Sequence, residues 1–208
     1  MTRTLIAIPT FENITPETFK SVYELSKPAY ISKVDFTFVK GYDCARARNK
    51  ICEKALEDGY NYILMVDSDV ILPRETLISF FSNPENMPEL ILGLVPKKNT
   101  TNHKTDMFSF NTNNFGDSNR YGYQELNQMH DNGINKIKIK GGAFGCALID
   151  VSVLNKLSYP WFQYVNYNNR QVLSEDLYFC NSINEIGGNV VLALDVRCGH
   201  LVRRFQYD

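Results

Sequence analysis

The chain has no excess of either charge, no paired cysteines and no long hydrophobic run, and each shortage excludes a class of function. Over 208 residues, 22 Lys and Arg face 23 Asp and Glu, a formal net charge of −1. No overall field therefore draws it to nucleic acid or to an anionic membrane surface. The five cysteines (44, 52, 146, 180 and 198) are odd in number and show no Cys-x-x-Cys spacing. That argues against a disulfide framework or a zinc site and for a reducing compartment. The apolar runs fall far short of the roughly 20 residues that a membrane helix needs. No signal-peptide pattern opens the sequence, so the glycosylation sequons at Asn13 and Asn99 carry no weight and the expected home is the cytoplasm, without a membrane anchor. What is present is ordinary for a globular protein: 44% hydrophobic and 22% charged residues, in a chain long enough for a substantial core.

Residues 1–95 read as alternating strands and helices. Strands are expected at 4–8, 34–39, 62–66 and 90–95. Between them, Thr15-Pro16-Glu17 opens a helix carrying Phe19, Val22, Tyr23 and Leu25, Asp43 caps a second that Gly59 closes, and Pro73 starts a short third. This order implies a mostly parallel sheet with helices on both faces. Residues 97–135 are rich in Asn, Thr, Ser, Gly and aromatics and show little periodicity, as in a long functional loop. Lys136–Lys140 alternates as an antiparallel strand, Gly141-Gly142-Ala143-Phe144-Gly145 precedes a strand to Ile149, Ser174 caps a helix to about Glu185, and Asn189–Leu194 is a last strand. No linker separates two domains, so 1–208 is expected to be one.

The most informative stretch is Tyr62-Ile63-Leu64-Met65-Val66-Asp67-Ser68-Asp69. A buried strand cannot carry unpaired charge inward, so both carboxylates must emerge at its carboxyl end, where open α/β sheets bind ligands. Two carboxylates about 4 Å apart repel by roughly 4 kcal/mol at an effective dielectric near 20. A divalent cation relieves that repulsion and docks phosphate oxygens. The pattern also fits a solvated Asx turn, or the nucleophilic Asp of a haloacid-dehalogenase-like phosphatase, although that strand usually opens its fold and here a full strand–helix–strand–helix precedes it.

Three weaker constellations accompany it. Arg46 and Arg48 cannot share a helix face, so one can turn to a diphosphate or a base while the other is solvated. Glu175 and Asp176 open a helix, where the macrodipole alone favours acids, and only one can face a given cleft; Leu177 and Phe179 are expected to set the buried side. Cys198-Gly199-His200 comes after the last strand with Arg203 and Arg204 behind it, and imidazole suits a Mn²⁺-type site begun by carboxylates.

In this order, Ile8-Pro9-Thr10-Phe11-Glu12-Asn13, Ala45-Arg46-Ala47-Arg48-Asn49, Met65-Val66-Asp67-Ser68-Asp69, Gly141–Gly145, Ser174-Glu175-Asp176 and Gly199-His200 resemble the family-2-like glycosyltransferases of the GT-A fold. The resemblance spans nearly the whole chain, with 97–135 as the variable part. The short length is similar to that of single-domain enzymes of large DNA viruses and phages, which would place it in host cytoplasm. The resemblance implies a GT-A α/β fold, a UDP-sugar or related donor held by Mn²⁺ or Mg²⁺, and a glycan or glycoprotein acceptor, with a further domain or partner protein helping to hold the acceptor. It divides the chain into a nucleotide-binding half, 1–95, and an acceptor-binding and catalytic half, 96–208. It puts Pro9, Thr10 and Phe11 on the nucleoside, Arg46, Arg48 and Asn49 around base and phosphate, and Ser68 and Arg203 beside them. Asp67 would meet the ribose or a metal-bound water, while Asp69 and His200 ligate the metal with it. Gly142 would let backbone approach the sugar, and Asp176, with Glu175 as alternate, would be the base of an inverting transfer. Tyr121, Tyr123 and Trp161 would cover the acceptor.

Overall fold

The computed structural model describes residues 2–97, 104–110, 115–167 and 170–201. Strand β1 (Thr2–Thr10) alternates between two buried faces: Leu5 and Ala7 join one core, Ile6 and Ile8 the other. Helix α1 (Pro16–Tyr23) begins as expected, with the Thr15 side chain accepting from the Thr18 amide and Pro16 in the first turn. Its buried residues are Thr18, Ser21 and Val22, whereas Phe19 and Tyr23 are exposed. Val22 and Leu25 of the expected stripe do pack on the core, but Phe19 and Tyr23 give way on the inner face to two hydroxyls that find partners: Thr18 Oγ1 accepts from the Thr15 hydroxyl at 2.8 Å. Ser21 Oγ donates to the Thr18 carbonyl and accepts from the Leu72 amide.

Strand β2 (Ile31–Lys40) lies parallel to β1, and helix α2 (Cys44–Glu57) starts where Asp43 accepts from the Arg46 amide at 2.9 Å. Then come β3 (Tyr62–Val66), the two-residue β4 (Val70–Ile71), α3 (Thr76–Phe80) and β5 (Leu90–Leu94). The supposedly irregular stretch contributes β6 (Lys104–Ser109), β7 (Arg120–Gly122) and helix α4 (Tyr123–Asp131). Helix α4 gave no signal because Gly122 supplies no side-chain cap and only Leu126 is buried. Next are β8 (Lys136–Gly142), β9 (Cys146–Asp150), a hairpin of β10 (Val165–Tyr167) and β11 (Arg170–Leu173), α5 (Glu175–Glu185), β12 (Val190–Arg197) and β13 (Gly199–His200).

Among the described residues nine strands form one sheet in the order β2-β1-β3-β9-β5-β12-β8-β6-β7. Six run one way; β9, β8 and β7 run against them. Helices α2, α4 and α5 bury Ile51, Leu126 and Phe179 on one face, and α1 and α3 bury Val22, Leu77 and Phe80 on the other. Inserting β9 between β3 and β5 anchors the carboxyl end of β3. The Gly145 carbonyl accepts from the Asp67 amide at 3.1 Å, pinning the residue that leaves the sheet. Separately, β13 pairs antiparallel with β4, matching His200 to Val70, and the Leu201 amide donates to the Asp69 carbonyl at 2.9 Å. The chain's last described strand is thus tied to the loop after β3. Among the described residues no helix is long and apolar enough to cross a membrane.

Candidate active site

On α2, Ala45, Arg48, Asn49 and Cys52 recur at helical spacing and are all buried, while Arg46 points to solvent. A guanidinium 3% exposed requires anions, and it has two. Arg48 Nη1 donates to Glu175 Oε1 at 2.7 Å and Nη2 to Asp67 Oδ1 at 3.1 Å. Its plane lies 5.3 Å from the Phe144 ring centroid and 6.0 Å from that of Phe162, which stacks on Phe179. One side chain therefore joins α2 and the residue that follows β3 to the first turn of α5, far along the chain.

The charges strain against one another. Burial raises the proton affinity of Asp67 and of Glu175, Arg48 opposes that rise in both, and Asp176 adds to it. Asp67 keeps 38% of its side chain open, yet the protein packed around its carboxylate is enough to set this direction. Burial also works against the charge on Arg48, but Asp67, Glu175 and Asp176 outweigh it and hold the guanidinium more firmly protonated than usual.

Beside this node, His200 Nε2 sits 3.4 Å from Asp69 Oδ1 and His200 Nδ1 lies 2.6 Å from the Pro96 carbonyl oxygen. A carbonyl only accepts, so Nδ1 carries the hydrogen in that contact and Nε2 is the nitrogen turned to Asp69. A proton or a metal ion can lie between that nitrogen and the carboxylate. The Pro96 bond is the outer contact that orients metal-binding histidines. These two residues fit a divalent ion that takes its remaining ligands from elsewhere. Among the described residues no three His, Cys, Asp or Glu groups converge, because Asp67 is turned to Arg48. The expected trio does not assemble: Asp69 and His200 meet, and Asp67 does not join them.

Asp176 faces a different space, a cavity of 220 Å³ that it lines with Asp106, Phe108, Arg120 and Ala143. Its Oδ1 accepts from the Leu177 amide at 2.8 Å and from the Ser174 hydroxyl, leaving Oδ2 as the oxygen available to a donor in the cavity. Asp106 is ion-paired with Arg120 and lies 3.3 Å from Lys97 Nζ. Sequence reasoning missed Asp106, Arg120 and the Pro96 carbonyl; all lie in or beside a stretch without periodicity, and no local motif marks them. A 440 Å³ cavity lined by Tyr60, Asn61 and Asp150 gathers none of the expected residues, lying at the amino-terminal ends of β1 and β3.

Pro9 and Thr10 are buried at the end of β1, Phe11 is 69% exposed just beyond it, and Ser68 is half-buried between the two aspartates. Arg203 lies outside the described residues. Four expectations are corrected. Arg48 is spent on carboxylates rather than phosphate. Asn49 is a clamp: its Nδ2 donates to the Phe162 carbonyl at 2.7 Å and its Oδ1 accepts from the Phe162 amide at 3.1 Å. Gly142 is glycine for packing, since a Cβ there would stand 2.2 Å from Met107 Sδ. The inner side of α5 is set by Glu175 and Phe179, not Leu177, because Arg48 supplies the counter-charge that lets an acid go inward. Tyr121, Tyr123 and Trp161 likewise pack on the core, and Trp161 Nε1 donates to the Leu154 carbonyl at 3.0 Å.

The Asn49 clamp gives a first prediction. Asn49→Ala leaves the buried amide and carbonyl of Phe162 without partners, an expected loss of about 2–4 kcal/mol. For a chain this long that corresponds to a melting temperature about 5–12 °C lower, read by calorimetry.

No family model and no curated protein matches this sequence. In three dimensions the chain is similar to A197 from STIV, with a TM-score of 0.68 at 14% identity over 97% of this chain and 87% of that one. It is also similar to GalNAc-T7, solved with UDP, GalNAc and Mn²⁺, with a TM-score of 0.63 at 13% identity over 98% of this chain. The match spans 44% of the GalNAc-T7 chain. The fold is GT-A, the glycosyltransferase fold that the motif order implied.

Proposed function

We propose that this chain is a metal-dependent glycosyltransferase that moves a sugar from a nucleotide-sugar donor, a UDP-sugar, to a hydroxyl of a glycan or glycoprotein, with inversion. The observation that carries this reading is the meeting of Asp69 with His200 at the rim of a GT-A sheet, His200 Nε2 lying 3.4 Å from Asp69 Oδ1. Asp69 and His200 would hold Mn²⁺ or Mg²⁺, which when bound supplies charge opposite the departing diphosphate. Residues 1–95 supply the donor side, where Pro9 and Thr10 form the floor and the open ring of Phe11 offers a face to a base. Arg48 holds Asp67 and Glu175 still, so the rim keeps its shape as substrates come and go. Residues 96–208 supply the acceptor side.

There the acceptor oxygen bonds to the anomeric carbon while the carbon–oxygen bond to the diphosphate breaks. The hydroxyl's proton passes to Asp176 Oδ2. Asp176 suits this task better than Glu175 because it lines a cavity, whereas Glu175 is committed to Arg48. The phosphatase alternative needs Asp67 as a free nucleophile, and a buried guanidinium grips that carboxylate.

Thermal-shift screening of UDP-, GDP- and dTDP-sugars with and without Mn²⁺ tests the reading; stabilisation by a UDP-sugar that EDTA removes is expected. Asp176→Asn should leave donor binding intact and lower transfer by at least about 10²-fold. A wild-type rate in that variant moves the role to Glu175 or to the substrate itself.

A further inference from the structure

A groove of 420 Å³ runs between the outer face of α2 and residues 159–164. Asp43, Arg46, Lys50 and Glu53 line it from the helix, and Tyr159 and Tyr164 from the other side. None of these side chains takes part in the proposed transfer. The two rings are 62% and 40% exposed; Tyr159 meets Trp161 edge-to-face with ring centroids 5.2 Å apart, and the rest of both rings is open to the groove. Two cations and two anions leave the groove with no net charge, so neither a phosphate nor an anionic surface is favoured there. Its floor is rigid, because Asn49 fixes the Phe162 backbone at both its polar atoms and Trp161 is bonded to Leu154.

Open aromatic faces beside planar carboxylate, amide and guanidinium groups, without net charge, match a ligand that is neutral, rich in hydroxyls and apolar on its ring faces. The groove also adjoins the catalytic node: Tyr164 lies within electrostatic reach of Glu175 and Arg48, and Phe162 lies beneath the Arg48 guanidinium. The geometry points to a glycan subsite in which Tyr159 and Tyr164 stack on sugars of the acceptor remote from the reacting hydroxyl. Its role as an acceptor subsite rests on the glycosyltransferase reading; its capacity to bind sugar does not. Binding there needs neither metal nor nucleotide, since none of these side chains belongs to the Asp69–His200 pair.

The test is saturation-transfer NMR on the full chain with maltotriose, cellotriose, chitotriose and mannotriose, in EDTA and without nucleotide. At least one trisaccharide should receive saturation from the wild type. That signal should fall by at least about ten-fold in Tyr159→Ala/Tyr164→Ala and persist in Asp69→Ala. The double variant gives up the Tyr159–Trp161 edge contact, so its melting temperature should fall by no more than about 6 °C. No transfer to any of the four, or transfer undiminished in the double variant, overturns the subsite. Weakened UDP binding in the double variant reassigns the rings to the nucleotide base and overturns it equally. Sugar binding that holds while no transferase activity is found retains the subsite and removes only its catalytic setting.

Discussion

Arg48→Met should destabilise the protein by about 3–5 kcal/mol, the scale for breaking a buried ion pair from one side. Methionine fills much of the space between Phe144 and Phe162, so the loss comes from charge rather than volume. Two carboxylates, Asp67 and Glu175, would stay in place without their cation. Their proton affinities are already raised by burial, and removing Arg48 takes away the influence that opposes the rise. A carboxyl that binds its proton more tightly folded than unfolded contributes stability when protonated and loses it as pH rises toward the folded-state value. The variant should therefore be most impaired at neutral pH and recover as pH falls through the raised values of these two groups. Urea melts of wild type and Arg48→Met at pH 7.5 and 5 read this out. A deficit that does not shrink at the lower pH would mean that packing, not charge, is what Arg48 provides. Arg48→Met/Glu175→Gln should recover part of the loss at pH 7.5, since a neutral amide needs no counter-ion.

The same side chain shows what could and could not be read from the sequence. That Arg46 and Arg48 lie on different faces of α2 follows from helical spacing, and the emergence of Asp67 follows from the buried run of β3. Where Arg48 goes once inside does not follow, because Glu175 reaches it from a helix far along the chain. The alternation of strand and helix to residue 95 was legible, since α1 and α2 carry their own caps and β1, β3 and β5 are apolar runs. Strands β6 and β7 were not: β7 has three residues, and both owe their conformation to pairing, β6 with β8 and the two with each other. Gly142 misled for a related reason. A glycine read locally suggests room for a ligand, but here the room is taken by Met107, a neighbour that only the sheet order supplies. The Asp69–His200 meeting was expected from motif order alone, and the β4–β13 pairing is the physical cause that the sequence did not display.

That pairing makes the second large effect testable apart from folding. The strands are joined through backbone, with His200 matched to Val70 and the Leu201 amide bonded to the Asp69 carbonyl, so removing the Asp69 carboxylate leaves the junction intact. Asp69→Ala should therefore melt close to the wild type and yet lose Mn²⁺-dependent UDP binding. Outer-sphere changes alone commonly cost 10–100-fold in metal affinity, so loss of a direct ligand should weaken UDP in the presence of Mn²⁺ by at least about 100-fold. Without metal, the two proteins should bind UDP equally. His200→Ala should behave like Asp69→Ala, since each supplies one half of the pair. Asp67→Asn should differ from both: it deprives Arg48 of a charged partner, lowering stability while keeping metal-dependent affinity within about ten-fold of wild type. Calorimetric titration of the four proteins separates the roles. Equal Mn²⁺-dependent affinity in Asp69→Ala and wild type would remove the metal from this site. A collapse of affinity in Asp67→Asn alone would return the ligand role to the residue that the structure gives to Arg48.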